Sequence, residues 1–188
     1  MNICYIGKRN TGKTTLLKKF FLAVIKEERG PVIILDSAVE EGNKSLINQL
    51  RAEGYIGHYF IFKNCSDVDT LKKFFLRDLT DGQPFYFDFS YCLERGNEKK
   101  GLIRNIWRNL YKNLISDTLK FILSYEWSPR KRPYLILDEI ELNSKASQII
   151  IDHLSEINFV MAIHNISYIA SKKLISGIKI VYLTTQYH

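Results

Sequence analysis

The residues Gly7-Lys8-Arg9-Asn10-Thr11-Gly12-Lys13-Thr14 fit the spacing G-x-x-x-x-G-K-[ST] with no mismatch. That spacing lets a loop wrap its backbone N–H groups around the phosphates of a nucleoside triphosphate, while the lysine reaches the β- and γ-phosphates. Gly12 lets the backbone come close, and Thr14 offers a hydroxyl to Mg²⁺. A helix starting there turns its partly positive N-terminus toward the anion. The candidate contacts to ATP are therefore Gly7, Lys8, Arg9, Asn10, Thr11, Gly12, Lys13, Thr14 and Thr15.

Such a loop needs a carboxylate that holds Mg²⁺ from the side opposite Thr14. Leu135-Ile136-Leu137-Asp138 has the expected form, apolar strand residues and then Asp. Glu139 adds a second carboxylate that can orient and deprotonate a water for in-line attack on the γ-phosphate, which points to hydrolysis rather than transfer to an acceptor. The two stretches read as Walker A and Walker B motifs. Lys13 and Glu139 are then the candidate catalytic residues, and Thr14 and Asp138 the candidate metal ligands. Asp88, which ends the aromatic run Phe85-Tyr86-Phe87, competes for the metal role with one carboxylate instead of two.

These groups need strands that end beside one another. Asn2 to Ile6 is an apolar strand candidate ahead of the loop, and Leu16, Leu17, Phe20, Phe21, Val24 and Ile25 fall at helical spacing behind it. Further strands are expected at Val32 to Leu35 (ending in Asp36), His58 to Phe62, Phe85 to Phe89, Tyr134 to Leu137, Phe159 to Ile163 and Ile178 to Leu183. Between them lie helices over 43–53, from Ser66, from Glu98 to about Glu126, and from Ser144. The longest carries Ile103, Ile106, Trp107, Leu110, Leu114, Ile115 and Ile122 as an apolar stripe, with Arg104, Arg108 and Lys112 as a basic ridge. A solvated face explains that ridge more simply than a nucleic-acid backbone does. Strands alternating with helices predict a three-layer αβα fold around a mainly parallel sheet, within a single domain spanning 1–188.

The chain has 188 residues, a 46% apolar fraction and a formal net charge of +7. It is long enough for a sizeable core. The positive balance suits a polyanionic partner, and solubility alone explains it equally well. Cys4, Cys65 and Cys92 are odd in number and lack metal-ligand spacing, which fits a reducing cytosol. No apolar run reaches the roughly 18 residues of a membrane span. With the loop starting at Gly7, no accessory domain is expected ahead of it. The nearest guanine-reading match, Asn43-Lys44-Ser45-Leu46, ends in Leu rather than Asp, and no Leu-Ser-Gly-Gly-Gln run is present. A GTPase switch and an ABC ATPase are thereby disfavoured.

At least one strand separates Asp138 in sequence from the loop strand and can lie between the two in the sheet, a layout that resembles the additional-strand, catalytic-glutamate division of P-loop ATPases. That resemblance implies a γ-phosphate sensor at the tip of the strand after Walker B, where His164 and Asn165 are the candidates. The order of features over nearly the whole chain looks like the FtsK/HerA superfamily, and within it the small viral genome-packaging ATPases. It rests on the phosphate loop, on Val-Ile-Ile-Leu-Asp36, on Leu-Ile-Leu-Asp138-Glu139, on Phe-Val-Met-Ala-Ile-His164-Asn165 and on the final strand from Lys179 to Thr185. Family members commonly carry Gln at the sensor tip, where this chain has His164. The resemblance implies a homo-oligomeric ring moving double-stranded DNA. An arginine from one subunit would complete the ATP site of its neighbour, with Arg104, Arg108 and Arg130 as candidates. It also implies capsid or portal partners and a host-cytoplasmic or virion-associated location. Two other readings are an AAA+-like initiator or helicase loader, for whose C-terminal lid no room is expected, and a nucleotide-gated switch without sustained hydrolysis.

Overall fold

Runs of consecutive apolar residues suit strands that are covered on both faces, and they build the centre of this molecule. The structure is a computed structural model that describes residues 2–27, 30–37, 45–64, 66–78, 82–125 and 132–184. Strands β1 (Asn2–Ile6), β2 (Val32–Asp36), β3 (His58–Ile61), β4 (Phe85–Asp88), β5 (Tyr134–Asp138), β6 (Asn158–Ile163) and β7 (Lys179–Tyr182) form one seven-stranded sheet in the order β3-β4-β2-β5-β6-β1-β7. Its strand pairings are parallel.

Alternate residues along each strand serve opposite cores. Val32, Ile34, Ile136 and Val160 pack with Leu17, Phe21 and Leu50 from helices α1 (Lys13–Lys26) and α2 (Leu46–Ala52). Ile33, Leu35, Leu137 and Met161 belong to the core on the other face. That face is covered by α3 (Asp67–Asp78), α4 (Ser90–Glu98), α5 (Gly101–Leu123), α6 (Ser144–His153) and α7 (Lys172–Gly177). Three layers result, as the sequence predicts.

Register decides what the sheet presents at its carboxyl edge. Ile6 pairs with Ile163, Asp138 with Ala162, and Asp36 with both Asp138 and Asp88. The ladder runs one residue past the strands: Gly7 N–H donates to Ile163 O (3.2 Å), Glu139 N–H to Ala162 O (2.9 Å) and Ser37 N–H to Asp138 O (3.1 Å). The phosphate loop and the acidic pair are thus tied to the two sides of β6.

The structure departs from the sequence expectations in particular places. The strand between β1 and β5 is β6, which follows Asp138 in the chain, and not one of the strands that precede it. The helix expected to begin at Glu98 begins at Gly101, and α4, which ends at Glu98, was not foreseen; the backbone turns between them at Lys99, Lys100 and Gly101, whose φ is +57°. The first half of α5 is exposed: Leu102, Ile103 and Ile106 are open to solvent, and burial begins at Tyr111. A 3₁₀ turn (Ile166–Tyr168) and α7 were not foreseen. Thr185 and Arg130 lie outside the described residues, as does Cys65. Among the described residues no helix is long and apolar enough to cross a membrane.

The two halves of α5 should respond differently to truncation. Ile115→Ala opens a cavity in the core and should cost about 2–5 kcal/mol, whereas Ile106→Ala should change stability by less than about 0.5 kcal/mol. Urea denaturation of both variants checks this; equal losses would contradict the packing described.

Candidate active site

The loop between β1 and α1 takes its shape from two left-handed residues, Asn10 (φ 63°) and Gly12 (φ 83°), and Gly12 forms the N-cap of α1. Gly7 has no space for a side chain: a Cβ there would lie 2.5 Å from Thr11 Oγ1 and 2.9 Å from Leu183 O. Thr11 Oγ1 donates to Lys8 O (2.9 Å) and closes the turn. Lys8, Arg9 and Asn10 form the exposed rim, and Thr15 faces outward in the first turn of α1.

Lys13 points inward and is only 5% exposed. Its ammonium donates to Gly7 O (2.8 Å) and Lys8 O (2.9 Å) and lies 3.2 Å from His164 Nδ1 and 3.4 Å from Glu139 Oε1. An ammonium can only donate, so Nδ1 accepts, and the ring proton is assigned to Nε2. Nε2 lies 3.2 Å from Glu139 Oε2. His164 therefore lies against both the loop lysine and the glutamate. Asn165 does different work, since its side chain accepts from Ser167 N–H (3.0 Å) and caps the 3₁₀ turn.

Thr14 Oγ1 donates to Asp138 Oδ2 (3.2 Å). Asp138 is fully buried, and its Oδ1 has no hydrogen-bond partner among the described residues. Burial, then the neighbouring Asp36 and Glu139 charges, push its carboxyl well above the usual range, with Thr14 and Lys13 pulling the other way. A buried acid with an orphaned oxygen beside a hydroxyl is a hard-oxygen donor set that suits Mg²⁺. Asp88 is placed elsewhere, two strands from β5, where it accepts from Tyr59 Oη (2.6 Å) and Ser90 N–H (2.9 Å) at the start of α4. Asp36 accepts from Ile47 N–H (3.1 Å) in the first turn of α2.

Glu139 has a left-handed backbone, φ 56°. For a residue with a side chain that costs about 1–3 kcal/mol and has to be held by its surroundings. Ser37 Oγ donates to Glu139 O (2.7 Å) and accepts from Tyr111 Oη (3.0 Å). Neither Ser37 nor Tyr111 was singled out from the sequence. A polar residue just past a strand tip was an available signal for Ser37; Tyr111 sits within an apolar stripe and gave none.

A cleft of about 540 Å³ opens beside Glu139, lined by Arg9, Arg108, Glu141, His164 and Tyr168 among others. Arg108 lies 3.6 Å and Lys112 2.7 Å from the Glu141 carboxylate. Much of the basic ridge on α5 is thus engaged within the chain, while Arg104 is exposed.

No protein-family model matches the chain, and no curated protein matches it in sequence. Its fold is similar to that of the genome packaging NTPase B204 from Sulfolobus turreted icosahedral virus 2 in complex with ATP-gammaS. The TM-score is 0.52 at 13% identity, over 99% of this chain and 76% of that one. The same protein in complex with AMPPCP aligns with a TM-score of 0.48 at 11% identity, over the same shares of the two chains. The chain has the fold of a P-loop NTPase.

A carboxyl that titrates higher in the folded than in the unfolded chain supports folding below its ordinary value near about 4, and that support is lost as pH rises through the folded pKa. Asp138→Asn should therefore stabilise the ligand-free protein by a margin that grows from about pH 4 upward and then levels. Thermal unfolding across pH tests this; a variant less stable than its parent at neutral pH would contradict it.

Proposed function

We propose that this chain is an ATP-hydrolysing motor of the FtsK/HerA type that translocates double-stranded DNA, packaging a viral genome. The observation that carries the ATPase reading is the convergence of Lys13 with Glu139 (3.4 Å) and of Thr14 with Asp138 (3.2 Å) at one edge of the sheet. The fold's similarity to a genome packaging NTPase supports the motor reading, as do the net charge of +7 and the family resemblance in the motifs.

The loop N–H groups and Lys13 would bind the phosphates, the ammonium exchanging its contacts to Gly7 O and Lys8 O for phosphate oxygens. That exchange would release Glu139 from its ion pair and leave its carboxylate to take the proton of the attacking water. His164, already against both groups, would report the γ-phosphate. Thr14 and Asp138 would hold Mg²⁺, which when bound neutralises charge on the phosphates. Of the described arginine candidates, Arg108 is engaged by Glu141 in its own chain. The exposed Arg104 is then the better placed to reach a neighbouring subunit in a ring.

Lys13→Ala should abolish ATP hydrolysis. Glu139→Gln should lower kcat by about 10²–10⁴-fold while nucleotide binding persists. ATPase rates with and without duplex DNA, alongside sizing, test the rest. A ring stimulated by DNA supports the motor. A monomer indifferent to DNA would favour a nucleotide-gated switch, and substantial turnover by Lys13→Ala would overturn the site.

A further inference from the structure

The segment from Glu139 to Glu141 is gripped at both ends by hydroxyl groups from other elements. Glu141 N–H donates to Tyr111 Oη (3.3 Å), Tyr111 O–H donates to Ser37 Oγ (3.0 Å), and Ser37 O–H donates to Glu139 O (2.7 Å). Each hydroxyl has one proton, so with an N–H at one end and a carbonyl at the other the direction of the whole chain is set. Its first and last groups belong to residues two apart, so the chain closes a ring around Ile140, which is itself fully buried.

Both hydroxyl residues are buried, Ser37 fully and Tyr111 to 1% exposure. Burial also raises the phenol pKa, which keeps its proton in place to donate. Ser37 stands just past β2, and its own N–H donates to Asp138 O (3.1 Å). Tyr111 stands on α5, where that helix passes from its exposed to its buried half. Two elements that contribute no side chain to the phosphate loop thus meet on the 139–141 backbone, Ser37 on the left-handed Glu139 and Tyr111 on Glu141. The left-handed Glu139 thus has its carbonyl on Ser37 Oγ while its carboxylate lies 3.4 Å from the Lys13 ammonium.

We infer that Ser37 and Tyr111 are positioning residues for hydrolysis: their hydroxyls clasp the 139–141 backbone and hold the Glu139 carboxylate where it can accept the proton of an attacking water. The inference rests on the reading of Glu139 given above. The two hydroxyls act as one unit, because each supplies the other's partner.

The test is ATP turnover by Tyr111→Phe, Ser37→Ala and their double variant, each also combined with Glu139→Gln. Tyr111→Phe keeps the ring that fills the core, so it remains folded even where Ser37→Ala does not, and faster hydrogen exchange at the Glu141 amide reports that the clasp has opened. Each single variant should lower kcat about 10- to 100-fold with an ATP KM near that of the parent. The double variant should be no worse than the poorer single one, and neither change should lower the residual rate of Glu139→Gln. Parent-like kcat in Tyr111→Phe with accelerated exchange at Glu141 would overturn the clasp while leaving the site reading intact. Parent-like turnover by Glu139→Gln itself would instead overturn that reading, and the clasp with it.

Discussion

Lys13 carries its ammonium group into the interior, and a buried cation persists only where the protein both neutralises it and takes its protons. Two carbonyls of its own loop meet part of that demand, and Glu139 and His164 meet the rest. Those partners come from three places in the chain: the loop follows β1, Glu139 follows β5 and His164 follows β6. A parallel sheet with β6 between the other two strands brings all three tips to one edge. The strand order is thus the condition under which the lysine can be buried, and the same order makes the edge a place for a polyanion. In open α/β sheets ligands bind outside the carboxyl ends of the strands, where the N–H groups of the following helix are also directed.

The acidic half of the edge carries the opposite burden. Asp36, Asp138 and Asp88 stand in register across β2, β5 and β4, and Asp138 is fully buried with one oxygen unpartnered among the described residues. Asp88 is drawn away by Tyr59 and the start of α4, and Asp36 by the start of α2, which leaves Asp138 with Thr14. Repulsion from its neighbours and the left-handed backbone of Glu139 both oppose folding in the ligand-free protein. Local rules broken together at one edge are what a functional site leads one to expect.

Most of the fold was legible because strands covered on both faces must be continuously apolar, and such runs are short, distinct and bounded by turns. The loop was legible for a different reason: its conformation needs glycine where a side chain would clash, at Gly7, and where φ is positive, at Gly12. Helix periodicity was a poorer guide in α5. Leu102, Ile103 and Ile106 continue an apolar stripe past the point where any described residue covers it, and spacing does not say what lies opposite. The break before α5 depends on a left-handed Gly101, and the start of α4 on the Asp88 carboxylate, neither of which shows in a hydrophobic pattern. Among the sensor candidates, spacing left His164 and Asn165 level; the structure places His164 against Lys13 and Glu139, and Asn165 on the cap of the turn that follows. Ser37 and Tyr111 come together only because α5 crosses the end of β2, a tertiary fact that no local signal carries.

The position of a bound triphosphate decides whether these groups form one site. A crystal structure of the chain with Mg²⁺ and a non-hydrolysable ATP analogue answers that directly. The phosphates should lie in the loop from Gly7 to Thr14, with Lys13 on the γ-phosphate, the metal between Thr14 and Asp138, and Glu139 facing a water in line with the scissile bond. An analogue bound away from that loop, or a γ-phosphate out of reach of both Lys13 and Glu139, would contradict it.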